Sequence, residues 1–255
     1  MHYQKVIDNM TKKQEEAIKS LPQTGFQFSE EAHLYVLDGK PLTGVTTILG
    51  VIAKPALIQW SAGMAADYAS ALIKADTKYT EDQLVEIFKE AKVAHRKKKE
   101  AAGNTGTKVH DWIERYIKAK IAGIELPAFE EDIKHITDQF VVWATENNIT
   151  FLVSEKRLFS KEYWYAGTVD LVFLKDGKKY VGDIKTSSGI YGREFFFQCA
   201  GYQIALEEQG EKDIFGSTII RCGKDGSFEI KDSFDIESDK AGFLAALRLY
   251  RELEK

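Results

Sequence analysis

The chain is poor in cysteine, lacks any long apolar run and carries no surplus of positive charge. Its two cysteines, Cys199 and Cys222, match no metal-ligand spacing and suit a reducing compartment. No stretch approaches the ~20 apolar residues of a membrane-spanning helix, so no membrane partner is expected. The opening MHYQKVIDNMTKKQ has no apolar core of a secretory signal, so a cytoplasmic protein is expected. The formal net charge of -4 argues against a protein that coats nucleic acid by bulk charge. It leaves room for an enzyme whose acidic site meets nucleic acid through a metal ion. Repeats and low-complexity linkers are also missing.

What is present is a soluble, globular composition. The 255 residues, 44% hydrophobic and 29% charged, suffice for one large domain or one domain with an appendage. Residues 1–20 are charged and mildly amphipathic and predict a peripheral helix. Short strands are expected over 26–28, 33–37 and 42–45, with a turn at Asp38-Gly39; Thr46 or Thr47 could cap the segment after them. Further helices are expected over 57–73, 80–100, 105–121, 128–147, 191–209 and 236–253. In the first of these, Leu57, Trp60, Met64 and Tyr68 form a stripe that reads as core, with a substrate contact the lesser alternative; Gly103 and Asn104 predict a break before 105–121. Strands are expected over 149–159, 163–174, 179–186 and 214–231, the last with a hairpin around Asp225-Gly226. The expected fold is α/β. A small central mixed sheet is flanked by the helices at 105–121 and 192–209. A largely helical N-terminal extension, 1–102, would pack on a core of 103–255.

The most informative stretch is YWYAGTVDLVFLKDGKKYVGDIKTS, residues 163–187. Two runs rich in Val, Ile, Phe and Tyr flank Asp176-Gly177, a strong two-residue hairpin signal. That loop pairs Lys175 with Lys178. Counting back puts Asp170 opposite Asp183 and Thr168 opposite Lys185, on one face. Opposed carboxylates destabilise a ladder unless a proton, a cation or a metal offsets them. Lys185 is one cation for two acids. A hard divalent ion fits better, and a solvated surface salt bridge is the alternative.

Other positions carry a second choice each. His110 and Glu114 are one turn apart on a helix, within an apolar stripe. They either bond each other or bind metal, the imidazole favouring Mn²⁺-like ions. Glu155 either points toward the hairpin face or sits at a strand edge. Gln198 and Tyr202 share a helical face and could bond a phosphate, or Tyr202 could be core. Arg96, Lys97 and their basic neighbours wrap a helix end, solvated or beside a phosphate chain. The pattern Asp/Glu-x-Lys occurs seven times, so by itself it identifies nothing. Asp183-Ile184-Lys185 differs by ending a strand with Asp170 one hairpin upstream.

The order His110, Asp170, Asp183-x-Lys185, Gln198-x-x-x-Tyr202, on helix, strand, strand and helix, resembles the PD-(D/E)xK nuclease superfamily. Within it the chain resembles the RecB-like, phage-type exonuclease branch, through GTKVH with Glu114, GTVD, GDIKTS and QCAGY, over roughly residues 103–222. The resemblance implies a restriction-endonuclease-like core and a metal-dependent DNA exonuclease, in phage or bacterial recombination or repair. One or two Mg²⁺ or Mn²⁺ ions would be held by His110, Asp170, Asp183 and the Ile184 carbonyl. Lys185 would orient the attacking water and offset charge on the phosphate. Glu114 and Glu155 would be ligands or support them. Gln198 and Tyr202 would hold the DNA backbone or the water, with Thr186, Ser187, Arg96 and Lys97 as further substrate contacts. Expected partners are DNA, single-stranded or with free ends, and a recombination or annealing protein. Members with an iron–sulfur cluster carry four cysteines; two cannot build one. The alternatives are a structure-specific endonuclease, an inactive nucleic-acid-binding module of the same fold, and a structural protein with solvated carboxylates.

Overall fold

The computed structural model describes residues 10–254. The peripheral helix expected within residues 1–20 is α1, Lys12–Ser20; residues 1–9 of that expectation lie outside the described residues. Thr11 starts α1 with a reciprocal cap. Its hydroxyl accepts from the Gln14 N–H, and the Gln14 side chain accepts from the Thr11 N–H. Three short strands come next, in an antiparallel meander: β1 (Phe26–Ser29), β2 (Leu34–Leu37) and β3 (Lys40–Gly44). Asp38 and Gly39 close the second turn at φ 50° and 71°, the two-residue geometry that suits strand twist. A one-turn helix, α2 (Val45–Ile48), starts straight from β3. Neither Thr46 nor Thr47 caps it, because the N-cap position falls on Gly44.

The chain forms two units. One runs to Ile52 and resumes at Val109; the other is Ala53–Lys108. The division therefore differs from the expected one at 102/103, and the N-terminal strands belong with the main sheet. The smaller unit holds α3 (Pro55–Leu72) and the first part of α4 (Glu81–Ala122). Within it the Trp60 ring meets His95 edge-on at 6.4 Å, and Lys98 Nζ lies 3.9 Å from Met64 Sδ. The stripe that reads as core is not buried: Leu57 is 55% exposed and Trp60 37%. Periodicity shows that one side of a helix is apolar; what covers that side is a tertiary matter. Nor does α4 break at Gly103 and Asn104, so neither Thr105 nor Thr107 starts a helix. It runs 42 residues. A helix-interior glycine costs only about 1 kcal/mol against alanine, which long flanking segments absorb.

The larger unit continues with α5 (Lys134–Glu146), β4 (Thr150–Ser160), β5 (Tyr165–Lys175), β6 (Lys178–Lys185), α6 (Glu194–Glu208), β7 (Ile214–Cys222), β8 (Phe228–Ser233) and α7 (Ile236–Leu253). Helix α5 starts later than expected, so Phe129 precedes it and stacks on Trp112 at 5.1 Å. Helix α6 starts at Glu194 rather than Tyr191. The strands form one mixed sheet in the order β1-β2-β3-β5-β6-β7-β8, with β4 paired to β5. One face carries α6 and α7 over Val169, Val172, Val181 and Ile219. The other carries α5 and the part of α4 beyond Val109, over Leu171, Phe173, Tyr180 and Ile220. The architecture is α/β, a mixed sheet flanked by helices. No helix among the described residues is long and apolar enough to cross a membrane.

Strand β5 is where the sheet opens. β4 pairs with it from Tyr165 to Leu174 along one edge. Its other edge is divided: β6 pairs with Leu171–Lys175, while β3 takes Tyr165 and Ala166. Between these, residues 167–170 have no ladder partner on that edge. The alternation of faces slips at the same place. Tyr165 and Val169 lie on the α6 side and so does Val172, whereas Leu171 and Phe173 lie on the α5 side.

Candidate metal centre

The register that Asp176-Gly177 predicts is present. Lys175 pairs with Lys178, and the ladder runs on to Leu171 opposite Gly182. It then stops one step short of Asp170 and Asp183, and it does not pair Thr168 with Lys185. In place of that rung the Asp170 side chain reaches across, its Oδ2 accepting from the Ile184 N–H at 2.7 Å. On the far side of β5, Ser154 pairs with Leu171 and Lys156 with Val169, but the rung between them is interrupted too. That rung is Glu155 opposite Asp170, and Glu155 has φ 48°, uncommon for a residue with a side chain. Three acids from consecutive strands, Glu155, Asp170 and Asp183, thus stand at one level where the sheet parts.

Helix α4 brings His110 to this level. Its neighbours Val109, Trp112, Ile113 and Ile117 are buried against the sheet, leaving His110 half-buried. The His110 Nδ1 lies 3.9 Å from Asp170 Oδ2, too long for a hydrogen bond. Ligand atoms of His110, Glu155 and Asp170 all lie within 4.8 Å of one another. Glu155, for which the sequence leaves two orientations open, is therefore central. Burial pushes its carboxyl up to about 8, with the charges of Asp170 and Glu114 adding to the shift. Glu114, a candidate ligand by spacing, pairs instead with Lys118 one turn on and is not in the trio.

Asp183 is fully buried. Gln198 Nε2 donates to its Oδ1 at 2.8 Å. Its Oδ2 lies 2.5 Å from Lys185 Nζ, a charge-assisted contact. Burial pushes the Asp183 carboxyl up to about 7; the Lys185 charge opposes this and the Asp170 charge adds to it. Burial also works against charge on Lys185, but Asp183 and Asp170 outweigh it and hold the ammonium protonated. Lys185 Nζ further donates to Gln198 Oε1 at 3.3 Å and lies 5.4 Å from the centre of the Phe195 ring.

Tyr202 is 3% exposed, which corrects its reading as a direct substrate contact. Its ring packs on Gly167, where a Cβ would lie 2.6 Å from Tyr202 Cε1. Its hydroxyl accepts from Gln198 Nε2 at 3.0 Å. Tyr202 holds Gln198, and Gln198 holds Asp183 and Lys185. Ile184 commits its N–H to Asp170. Thr186 and Ser187 are half-buried beyond β6; the Ser187 hydroxyl donates to the Gly189 carbonyl at 3.0 Å. Arg96 and Lys97 belong to the smaller unit, exposed, with Lys97 paired to Glu90. Sequence reasoning missed Phe195 beneath Lys185, and Arg221, which donates to the Ser187 carbonyl at 3.4 Å and pairs with Glu229. No motif marks Phe195. The one hint for Arg221 is a charge in the otherwise uncharged strand IFGSTIIRC.

Carboxylate oxygens with one imidazole nitrogen are donors for a divalent ion such as Mg²⁺ or Mn²⁺. The raised Glu155 carboxyl, beside Asp170 and His110, is relieved by such a cation. The donor set and its electrostatics therefore fit a metal.

No protein-family model and no curated protein matches the chain. A solved structure described as "Crystal structure of SSO0001" is similar over 46% of this chain, at 16% identity and a TM-score of 0.28. The match covers 58% of that structure's chain, less than two thirds of its length. A likeness of that size supports no inference about fold or chemistry.

Proposed function

We propose that this protein is a divalent-metal-dependent deoxyribonuclease with a restriction-endonuclease-like core, a RecB-like exonuclease of the PD-(D/E)xK superfamily. The observation that carries this reading is the trio His110, Glu155 and Asp170, whose ligand atoms lie within 4.8 Å of one another, at the level of the sheet where the buried Asp183–Lys185 pair also stands. The helix, strand, strand, helix order that the resemblance requires is the order of α4, β5, β6 and α6. His110, Glu155 and Asp170 would hold Mg²⁺ or Mn²⁺, with Asp183 the adjoining donor. When bound, such an ion supplies Lewis acidity toward a phosphate and lowers the pKa of a water nucleophile. The Ile184 N–H fixes the Asp170 carboxylate in place. Lys185 keeps its proton and offers positive charge where a phosphodiester gains negative charge in the transition state. Gln198 ties Lys185 to Asp183, and the buried Tyr202 hydroxyl orients Gln198. Substrate contacts by Thr186, Ser187, Arg96 and Lys97, and a partner in DNA recombination or repair, belong to the same proposal.

The test is digestion of end-labelled single- and double-stranded DNA with Mg²⁺ or Mn²⁺, beside EDTA controls and Asp170→Asn. Stepwise release of products from an end, by wild type with metal only, supports the proposal. Cleavage that survives EDTA overturns it, as does wild type that cuts neither DNA.

A further inference from the structure

The loop from Lys185 to α6 carries a feature that metal chemistry does not use. Tyr191 is 79% exposed, more than any other large hydrophobic or aromatic side chain among the described residues. A single exposed tyrosine by itself calls for no explanation. This one makes two local contacts. Its ring rests on Gly189, where a Cβ would lie 2.6 Å from Tyr191 Cζ, and its hydroxyl donates to Ser188 Oγ at 3.1 Å. The loop beneath is anchored as well: Ile190 is buried in the core, the Ser187 hydroxyl donates to the Gly189 carbonyl, and Arg221 donates to the Ser187 carbonyl. The ring is therefore exposed on an anchored loop.

Its position relative to the site is set by the chain. Lys185 Nζ lies over the Phe195 ring at 5.4 Å, and Phe195 is four residues from Tyr191. An exposed aromatic ring on the loop that joins Lys185 to the helix carrying Gln198 suits a nucleobase whose backbone runs past Lys185. Stacking of that kind needs the base to be out of a duplex. Resting on the nuclease reading, we propose that Tyr191 is a stacking platform for an unpaired base of the substrate. The site then takes a strand that is single-stranded at the point of cleavage.

The experiment compares wild type, Tyr191→Ala and Tyr191→Phe in equilibrium binding, by fluorescence anisotropy in Ca²⁺. The probes are a labelled single-stranded 15-mer and a blunt duplex of the same sequence, the 15-mer being about the span of one single-strand-binding site. Tyr191→Ala is expected to weaken single-strand binding by roughly 5- to 150-fold, the range that one base–aromatic stack supplies. Tyr191→Phe, which keeps the ring, should stay within about twofold of wild type, and duplex affinity should change far less than single-strand affinity. Thermal melting checks that each variant is folded. Single-strand affinity unchanged in Tyr191→Ala, while wild type binds DNA, overturns the stacking proposal and leaves the nuclease reading intact. Equal losses for single strand and duplex overturn it as well. Wild type that binds neither probe overturns both.

Discussion

At its turn, the β5–β6 hairpin is a regular ladder. Asp176 and Gly177 take positive φ, Lys175 faces Lys178, and the rungs continue unbroken to Leu171 and Gly182. At the other end the same two strands part, Asp170 bonds across to the Ile184 N–H, and an acid from each of three strands arrives at one level. The turn end is held by local geometry and cross-strand packing. The open end is held by helices on both faces, which supply His110 from one side and Gln198 from the other. The contrast separates stability from chemistry: side chains at the closed end maintain the sheet, and those at the open end are arranged against electrostatic cost.

Four substitutions probe that contrast. Asp183→Asn keeps the side-chain shape but removes the partner charge of Lys185, so metal-dependent cleavage should fall roughly 10²- to 10³-fold or more and the melting temperature should fall as well. Retention of wild-type turnover in that variant would remove the catalytic assignment. Gly182→Ala, at the last intact rung, puts a Cβ 2.7 Å from Leu171 Cδ2 and should destabilise by about 1–3 kcal/mol in urea titration. No loss there would mean the strands can spread without cost.

Glu155→Gln sharpens the comparison through pH. The folded state keeps the Glu155 proton up to about pH 8, whereas the usual value is 4.5, so the unfolded chain releases it first. Wild-type stability without metal should therefore fall as pH rises through that window and level off above it. Asp183, raised to about 7, contributes in the same direction and remains in the variant. The amide side chain of the variant, which cannot ionise, should recover about 1–2 kcal/mol by pH 8, allowing for solvent screening. Mn²⁺ should flatten the wild-type profile, and a profile indifferent to both changes would contradict the electrostatic picture. The smallest effect is expected at the turn. Gly177→Ala, at φ 74° with open space around it, should cost about 1 kcal/mol and leave cleavage unchanged.

Much of this architecture is legible in the residues, and the losses have definable causes. Turn chemistry is local, so Asp38-Gly39 and Asp176-Gly177 mark their hairpins without outside help. Helical spacing puts His110 and Glu114 on one side of α4, but Lys118 is equally near and captures Glu114. Spacing identifies neighbours without ranking them. Gly103 and Asn104 are weak breakers by propensity and are overridden within α4. The apolar stripe with Leu57 and Trp60 is real in the pattern, yet both side chains are exposed. By spacing Tyr202 is equally apt for core or ligand, and only packing against Gly167 decides it.

By itself the amino-acid order determined the α/β class, the hairpin register and the carboxylates at 170 and 183 as a candidate site. All three arise from interactions between residues near in sequence: turn dihedrals, strand alternation and helical periodicity. Tertiary structure decided the rest: where the ladder stops, that Glu155 joins His110 and Asp170, and that Asp183 is buried against Lys185. Those facts originate where β5 exchanges β6 for β3 and two helical layers close over the gap. Such an arrangement depends on contacts between segments far apart in the chain, whose energies no local pattern encodes.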